Sequence, residues 1–165
     1  MMERGRTRSS RLCGKACSLW EGRHFPVDMI GSKGVEWTVT EIKVRTSRRI
    51  EALDITGEVR RAAKAAPGSN VHLLCLHTTC GLTINENADP AVMKDIIDAL
   101  DRLVPANYPY SHREGNSDAH IKSSLVGHSL TIPLSGGDLV LGTWQGIYLL
   151  EFDGPRERRI AVSVS

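Results

Sequence analysis

The chain has 165 residues, 41% of them hydrophobic and 24% charged, which matches one soluble globular domain able to bury a core without disulfide or metal staples. No apolar run approaches the ~20 residues needed to cross a bilayer, so a membrane span is excluded. The net charge of +2 is unevenly placed: residues 1–24 hold six Arg or Lys against two acidic residues, and the remainder, with few aromatics and no basic excess, argues against a nucleic-acid partner.

The basic leader MMERGRTRSSRLCGKACSLWEGRH lacks the 7–15-residue apolar segment of a secretory signal. Residues 1–34 are therefore expected to be a disordered leader or a misannotated start, and 35–165 a single domain. Met29, just before Gly31, Ser32 and Gly34, is the alternative first residue, and an intact mass beginning at Met1 would refute it. Of the four cysteines, Cys13 and Cys17 fall in the leader and neither they nor Cys75 and Cys80 have C-x-x-C spacing. Cys75 sits in the apolar run VHLLCL and reads as a small core residue. Cys80 alone is near the candidate site, and a nucleophilic role for it is the minority reading. Nothing in this usage demands an oxidising compartment, so the cytoplasm is the default.

Residues 35–45 (VEWTVTEIKVR) alternate apolar and polar with a change of phase near Thr40, the pattern of a strand with a bulge. After an extended piece at 50–55, Thr56 is placed to cap a helix running to Ala66, with Val59, Ala62, Ala63 and Ala66 on one side and Pro67-Gly68 as its stop. Residues 70–78 form a mostly apolar strand whose period of two puts Val71, Leu73, Cys75 and His77 on one face. Asp89-Pro90 starts a second helix to about Leu103, with Val92, Ile96, Leu100 and Leu103 as its buried stripe. A polar loop at 104–117 leads to a short helical segment at 118–126 that ends at Gly127. Strands at 129–134, 138–144, 146–152 and 158–164 are joined by short turns and should pair antiparallel. The expected fold is α+β: a mainly antiparallel, curled, barrel-like sheet with two main helices packed on it.

Three of the six histidines lie between His77 and His120, with Glu86, Asn87 and Asp89 in the interval. His112 and His120 are eight apart, which is no helical ligand spacing. If the loop returns both rings to His77, three imidazoles could hold a divalent ion with a position left for water; spacing alone favours ordinary surface or capping bonds. His24, His72 and His128 have no comparable company. Glu86 could take a proton from water or substrate and Asn87 could orient it. Lys122, Ser123 and Ser124 could cradle a phosphate. Trp144 and Gln145 could supply a stacking wall and an amide contact, although a tryptophan ending a strand more often belongs to a core. The Arg156, Arg158 and Arg159 group beside Glu157 reads as a charged hairpin.

The segments HTTCGLTINENADP (77–90), SHREGNSDAHIKSSLVGHSLTIPL (111–134) and GDLVLGTWQGIYLLEFDGPRERRIAV (137–162) resemble the YjbQ family from about Val35 onward. The H-T, E-N-x-D-P, H-x7-H-I-K-S-S and L-G-T-W-Q-G elements occur together and in order. The resemblance implies a homotrimer with a histidine-lined cleft able to hold a divalent metal, zinc or, with phosphoryl substrates, magnesium. It also implies thiamine-phosphate synthase activity, which joins a pyrimidine diphosphate to a thiazole phosphate. On that basis His77, His112 and His120 are metal positions, Glu86 and His120 catalytic, and Asn87, Lys122, Ser123, Trp144 and Gln145 contacts to a small phosphorylated substrate. Cys80 and Gly81 stand where the family pattern has Ser or Ala. The alternatives are a hydrolase using zinc-bound water with Glu86 as base, and a non-enzymatic trimer that binds a small anion.

Overall fold

The computed structural model describes residues 39–64 and 67–165. The leader, Met29, Cys13, Cys17, His24, residues 35–38 of the first expected strand and Ala66 of the first helix lie outside the described residues. The elements run β1 (Val39–Arg45), β2 (Glu51–Asp54), α1 (Thr56–Ala63), β3 (Asn70–Cys75), β4 (Cys80–Glu86), α2 (Pro90–Leu103), α3 (Ser117–Val126), β5 (Ser129–Ser135), β6 (Asp138–Leu139), β7 (Gln145–Glu151) and β8 (Glu157–Val164). Every strand pairing is antiparallel. A five-stranded sheet in the order β1-β8-β3-β5-β6 and a three-stranded sheet in the order β2-β7-β4 make a curled half-barrel with three helices, the expected α+β class.

Period-two alternation decides what is buried. Ile160, Val162 and Val164 of β8, Val71, Leu73 and Cys75 of β3, and Ile42 of β1 meet Leu82 of β4 and Ile147 and Leu149 of β7, and Val59 and Ala63 of α1 belong to the same cluster. Each such aliphatic side chain contributes about 1.5–3 kcal/mol when removed from water. β7 is buried on both faces: Tyr148, Leu150 and Phe152 point the other way, into a second cluster with Met93 of α2 and Ala119 of α3.

α2 starts as expected, with the Asp89 carboxylate accepting from Ala91 N–H at 2.8 Å and Pro90 in the first turn. Of its expected stripe, Val92, Ile96 and Leu100 pack half-buried against the second cluster beside buried Met93, whereas Leu103 is 69% exposed and Val104, at the helix cap, is the buried residue instead. Thr56 does not cap α1. The Asp54 carboxylate accepts from both the Thr56 N–H (2.8 Å) and its hydroxyl (2.5 Å), while the Thr56 hydroxyl oxygen accepts from Ile147 N–H at 2.8 Å. The β1 ladder is continuous from Val39 to Arg45, without a bulge. The expected strand at 138–144 shrinks to two residues, and β3 stops at Cys75, leaving His77 in the turn beyond.

β4 is the element the sequence reading omitted. It passes so close to the end of α3 that a Cβ on Gly81 would meet the Gly127 carbonyl oxygen at 2.8 Å. Gly127 itself turns the chain out of α3 with φ +98°, a conformation that costs side-chain-bearing residues dearly. Among the described residues no helix is long and apolar enough to cross a membrane.

Candidate active site

Where β3 gives way to β4, residues 76–79 form a turn held from three sides. Leu76 N–H donates to the Arg159 carbonyl at 3.0 Å, Phe152 N–H donates to the Thr79 carbonyl at 3.2 Å, and the Ser123 hydroxyl of α3 donates to the Thr78 carbonyl at 2.5 Å. The turn forms one wall of an open cleft of about 320 Å³. His77, Thr78 and Thr79 line that wall, Asn116 and His120 come from the start of α3, and Asp153, Arg156 and Arg158 come from the β7–β8 connection and β8.

The floor is a buried ion pair. Arg158 donates to both Glu151 oxygens, at 2.5 and 2.6 Å, and to the Thr79 hydroxyl at 2.9 Å; the Thr46 hydroxyl donates to Glu151 at 3.1 Å. Burial works most strongly against the Arg158 charge, but the Glu151 hydrogen bonds and the surrounding negative charge together hold the guanidinium above its ordinary value. Arg156 is half-exposed and forks onto Asp153, with its Nε on the carbonyl and its NH2 on the carboxylate, both at 2.7 Å. Asn116 Nδ2 donates to the same carboxylate at 3.0 Å. Its buried Oδ1 has no hydrogen-bond partner within the protein, an acceptor a ligand donor would satisfy.

His77 and His120 line this cleft, and His112 reaches it only through its contact with His120. The His112 and His120 rings are 5.5 Å apart edge to face, and His112 Nε2 is 3.6 Å from a Glu114 carboxylate oxygen. The Nε2 of His77 accepts from the backbone N–H of Arg159 at 2.8 Å, so that lone pair is already committed. Burial, then the charges of Arg158 and Arg159, push the His77 imidazole below its ordinary value. Among the described residues no group of three or more His, Cys, Asp or Glu side chains is arranged to hold a metal ion.

Several candidates lie elsewhere. Lys122 is fully buried, its ammonium bound to Asp101 and, at 3.0 Å, to Asp118. Ser123 is also buried and serves the Thr78 carbonyl. Both sit inside α3, so neither forms the expected phosphate cradle. Glu86, Asn87, Trp144 and Gln145 gather at the opposite end of β4. There Glu86 pairs with Gln145, Asn87 N–H donates to the Trp144 carbonyl at 2.9 Å, and Gln145 Oε1 accepts from Gly142 N–H at 2.8 Å. Trp144 is 64% exposed, not core. At about 3.3 Å per residue, β4 carries Glu86 roughly 20 Å from the histidine cleft, out of reach as a base for His120 within one chain. Cys80 is fully buried and does not line the cleft, so it is not placed to attack a substrate bound there.

Arg158, read from the sequence as part of a charged hairpin, is buried instead and was the most legible of the residues not assigned to the site. In ERRIAVSV it occupies the same phase as Ile160, Val162 and Val164, and Glu151 shares the phase of Ile147 and Leu149. Two opposite charges at inward positions of neighbouring strand segments signal a buried pair. Asn116, Asp153 and Arg156 lie in connections and carried no such pattern.

Residues 40–165 match the family model described as UPF0047 protein YjbQ-like. A UPF0047 protein of Methanocaldococcus jannaschii is 51% identical over 125 residues, covering 74% of this chain and 90% of the relative. The UPF0047 protein YugU of Bacillus subtilis is 46% identical over 120 residues, 71% of this chain and 91% of its own. Among solved structures, an uncharacterized conserved protein of the YjbQ/UPF0047 family from Clostridium acetobutylicum superposes with TM-score 0.72 at 48% identity, covering 74% of this chain and 97% of that one. A protein of unknown function from Sulfolobus solfataricus gives 0.74 at 30% identity, with 78% and 96% covered. The cleft and the two sheets that frame it lie within the matched residues, and the chain belongs to the YjbQ-like UPF0047 family.

Proposed function

We propose that the cleft binds a small phosphorylated molecule and that the protein is a thiamine-phosphate synthase-like transferase of the cytoplasm. The observation that carries this reading is the convergence of the Arg156 guanidinium, the His120 imidazole, threonine hydroxyls and the start of α3 on one polar space. Helix N-termini and guanidinium groups are anion receptors. In the reaction the thiazole nitrogen attacks the methylene carbon of the pyrimidine diphosphate, a C–N bond forms, the C–O bond breaks and pyrophosphate leaves. The attacking nitrogen needs no base. The leaving group needs charge neutralisation, which Arg156 and a hydrogen bond from His120 supply.

The hydrolase alternative loses support because Glu86 lies at the far end of β4. It regains geometry only if the protein is a homotrimer in which another copy brings its Glu86 end to this cleft. The simple anion-binding alternative is supported by the same lining residues as the transferase.

The purified full chain, given the pyrimidine diphosphate and the thiazole phosphate, should form thiamine phosphate and pyrophosphate in equal amounts. Arg156→Ala and His120→Ala should each slow it by about 100-fold or more. Pyrophosphate binding without product would leave the anion-binding protein, and neither binding nor product would overturn the reading.

A further inference from the structure

Cys75 closes β3 and Cys80 opens β4, so the two thiols stand on strands of different sheets, joined by the turn that carries His77, Thr78 and Thr79. Their sulfurs are 3.1 Å apart, both residues are buried, and both are free. The Cys75 sulfur also lies 3.6 Å from the Cys80 carbonyl oxygen and 3.8 Å from that of His77. A disulfide requires about 2.05 Å, so closing it asks the sulfurs to approach by about 1 Å. The backbone around them is fixed by the Leu76–Arg159 and Thr79–Phe152 hydrogen bonds, which hold the thiols face to face.

We propose that Cys75 and Cys80 are a site of reversible oxidation, a dithiol that hydroperoxides convert to a disulfide clamping the turn that walls the cleft. Two S–H bonds and the peroxide O–O bond break, one S–S bond forms, and hydrogen peroxide leaves as two molecules of water. The cysteines lose two electrons and the peroxide gains them. Small hydroperoxides suit the position, because the two cysteines flank the turn that lines the open cleft and, at 4% and 0% exposure, offer larger oxidants no sulfur to attack. The bridge joins the two sheets at their nearest point to the cleft and holds His77 and Thr79 in one arrangement. The closed loop is short, so its effect on global stability is small; its effect is local to residues 76–79.

Trypsin releases residues 65–94 as one peptide containing Cys75 and Cys80 and neither leader cysteine, which makes the test direct. The reduced full chain is treated with hydrogen peroxide, alkylated under denaturing conditions, digested and weighed. The expected peptide lacks two hydrogens, carries no alkyl group, reverts with dithiothreitol, and does not form in Cys80→Ser or Cys80→Ala. Native-state hydrogen exchange at residues 76–79 should slow in the oxidised protein and not in either variant. A peptide that takes two alkyl groups after peroxide, or one oxidised to sulfinic acid at either cysteine, would overturn the proposal. Disulfide formation without slower exchange at 76–79 would overturn the clamping of the turn.

Discussion

Two buried ion networks stabilise this domain, and they differ in what covers them. Arg158 and Glu151 lie beneath the cleft, tied to Thr79 and Thr46. Lys122 and Asp118 lie between helices, with Asp101 of α2 and Arg49 completing the set. Desolvating such charges costs several kcal/mol per ion, so each network persists only because its partners are complete. The first network positions a turn that faces a ligand space; the second holds α3 to α2 and to the Arg49 loop. Burial of charge alone thus does not mark an active site. Its value as a signal depends on whether the next residue out lines open space.

The comparison breaks most visibly under single deletions. Arg158→Ala strands a fully buried Glu151 carboxylate and should cost about 3–5 kcal/mol in urea unfolding, with pyrophosphate binding lost in whatever folded protein remains. Lys122→Ala should fall at the low end of that range, about 3 kcal/mol, because Arg49 still bonds Asp118 at 2.8 Å. Pyrophosphate affinity of the folded Lys122 variant should match that of the parent; a large loss by calorimetry would return Lys122 to the site. Gly81→Ala tests the approach of β4 to α3 that sets the Ser123–Thr78 bond, and overpacking there should cost about 1–3 kcal/mol in thermal or urea unfolding.

The smallest expected effect is on pH. His77 is held below its ordinary imidazole value in the folded protein, so near and below about pH 6.5 the unfolded chain binds a proton the folded one resists. Stability contributed by neutral His77 is present above that range and lost as pH falls through the lower folded value. His77→Gln should flatten this part of the stability profile. At more acid pH a second loss follows from Asp118: burial alone would raise its carboxyl, but hydrogen bonds from Arg49 and Lys122 hold it below the ordinary value, and its contribution disappears when it is protonated. That second loss should survive in the His77 variant.

The framework of the fold was readable because it rests on periodicity. Strands β3, β5, β7 and β8, the Asp89-Pro90 helix start and the Gly127 stop follow from alternation, capping and backbone freedom. β4 was not read because its polar Thr83 and Asn85 alternate with only Leu82 and Ile84, between flanks that look like turns. β6 was overread because pairing with β5 ends with the Val140 N–H bond to the Pro133 carbonyl at 2.9 Å, and the chain then turns where Gln145 N–H donates to the Gly142 carbonyl at 2.9 Å. Of the site residues named from motif order, His77 and His120 line the cleft. Motif order also merged into that cleft residues from opposite ends of β4, because sequence proximity between His77 and Glu86 hides a strand about 20 Å long.

The order β1-β8-β3 carries one more consequence, for synthesis. The strand at 157–164 lies in the middle of the large sheet, hydrogen-bonded to β1 on one side and β3 on the other. β1 emerges early from the ribosome, yet its one sheet neighbour among the described residues is made more than a hundred positions later. Until then β1 and β3 present open edges and the large sheet has no middle. The nascent chain therefore has to keep those edges from pairing with other chains, and assembly of this sheet waits for residues 157–164 to be made.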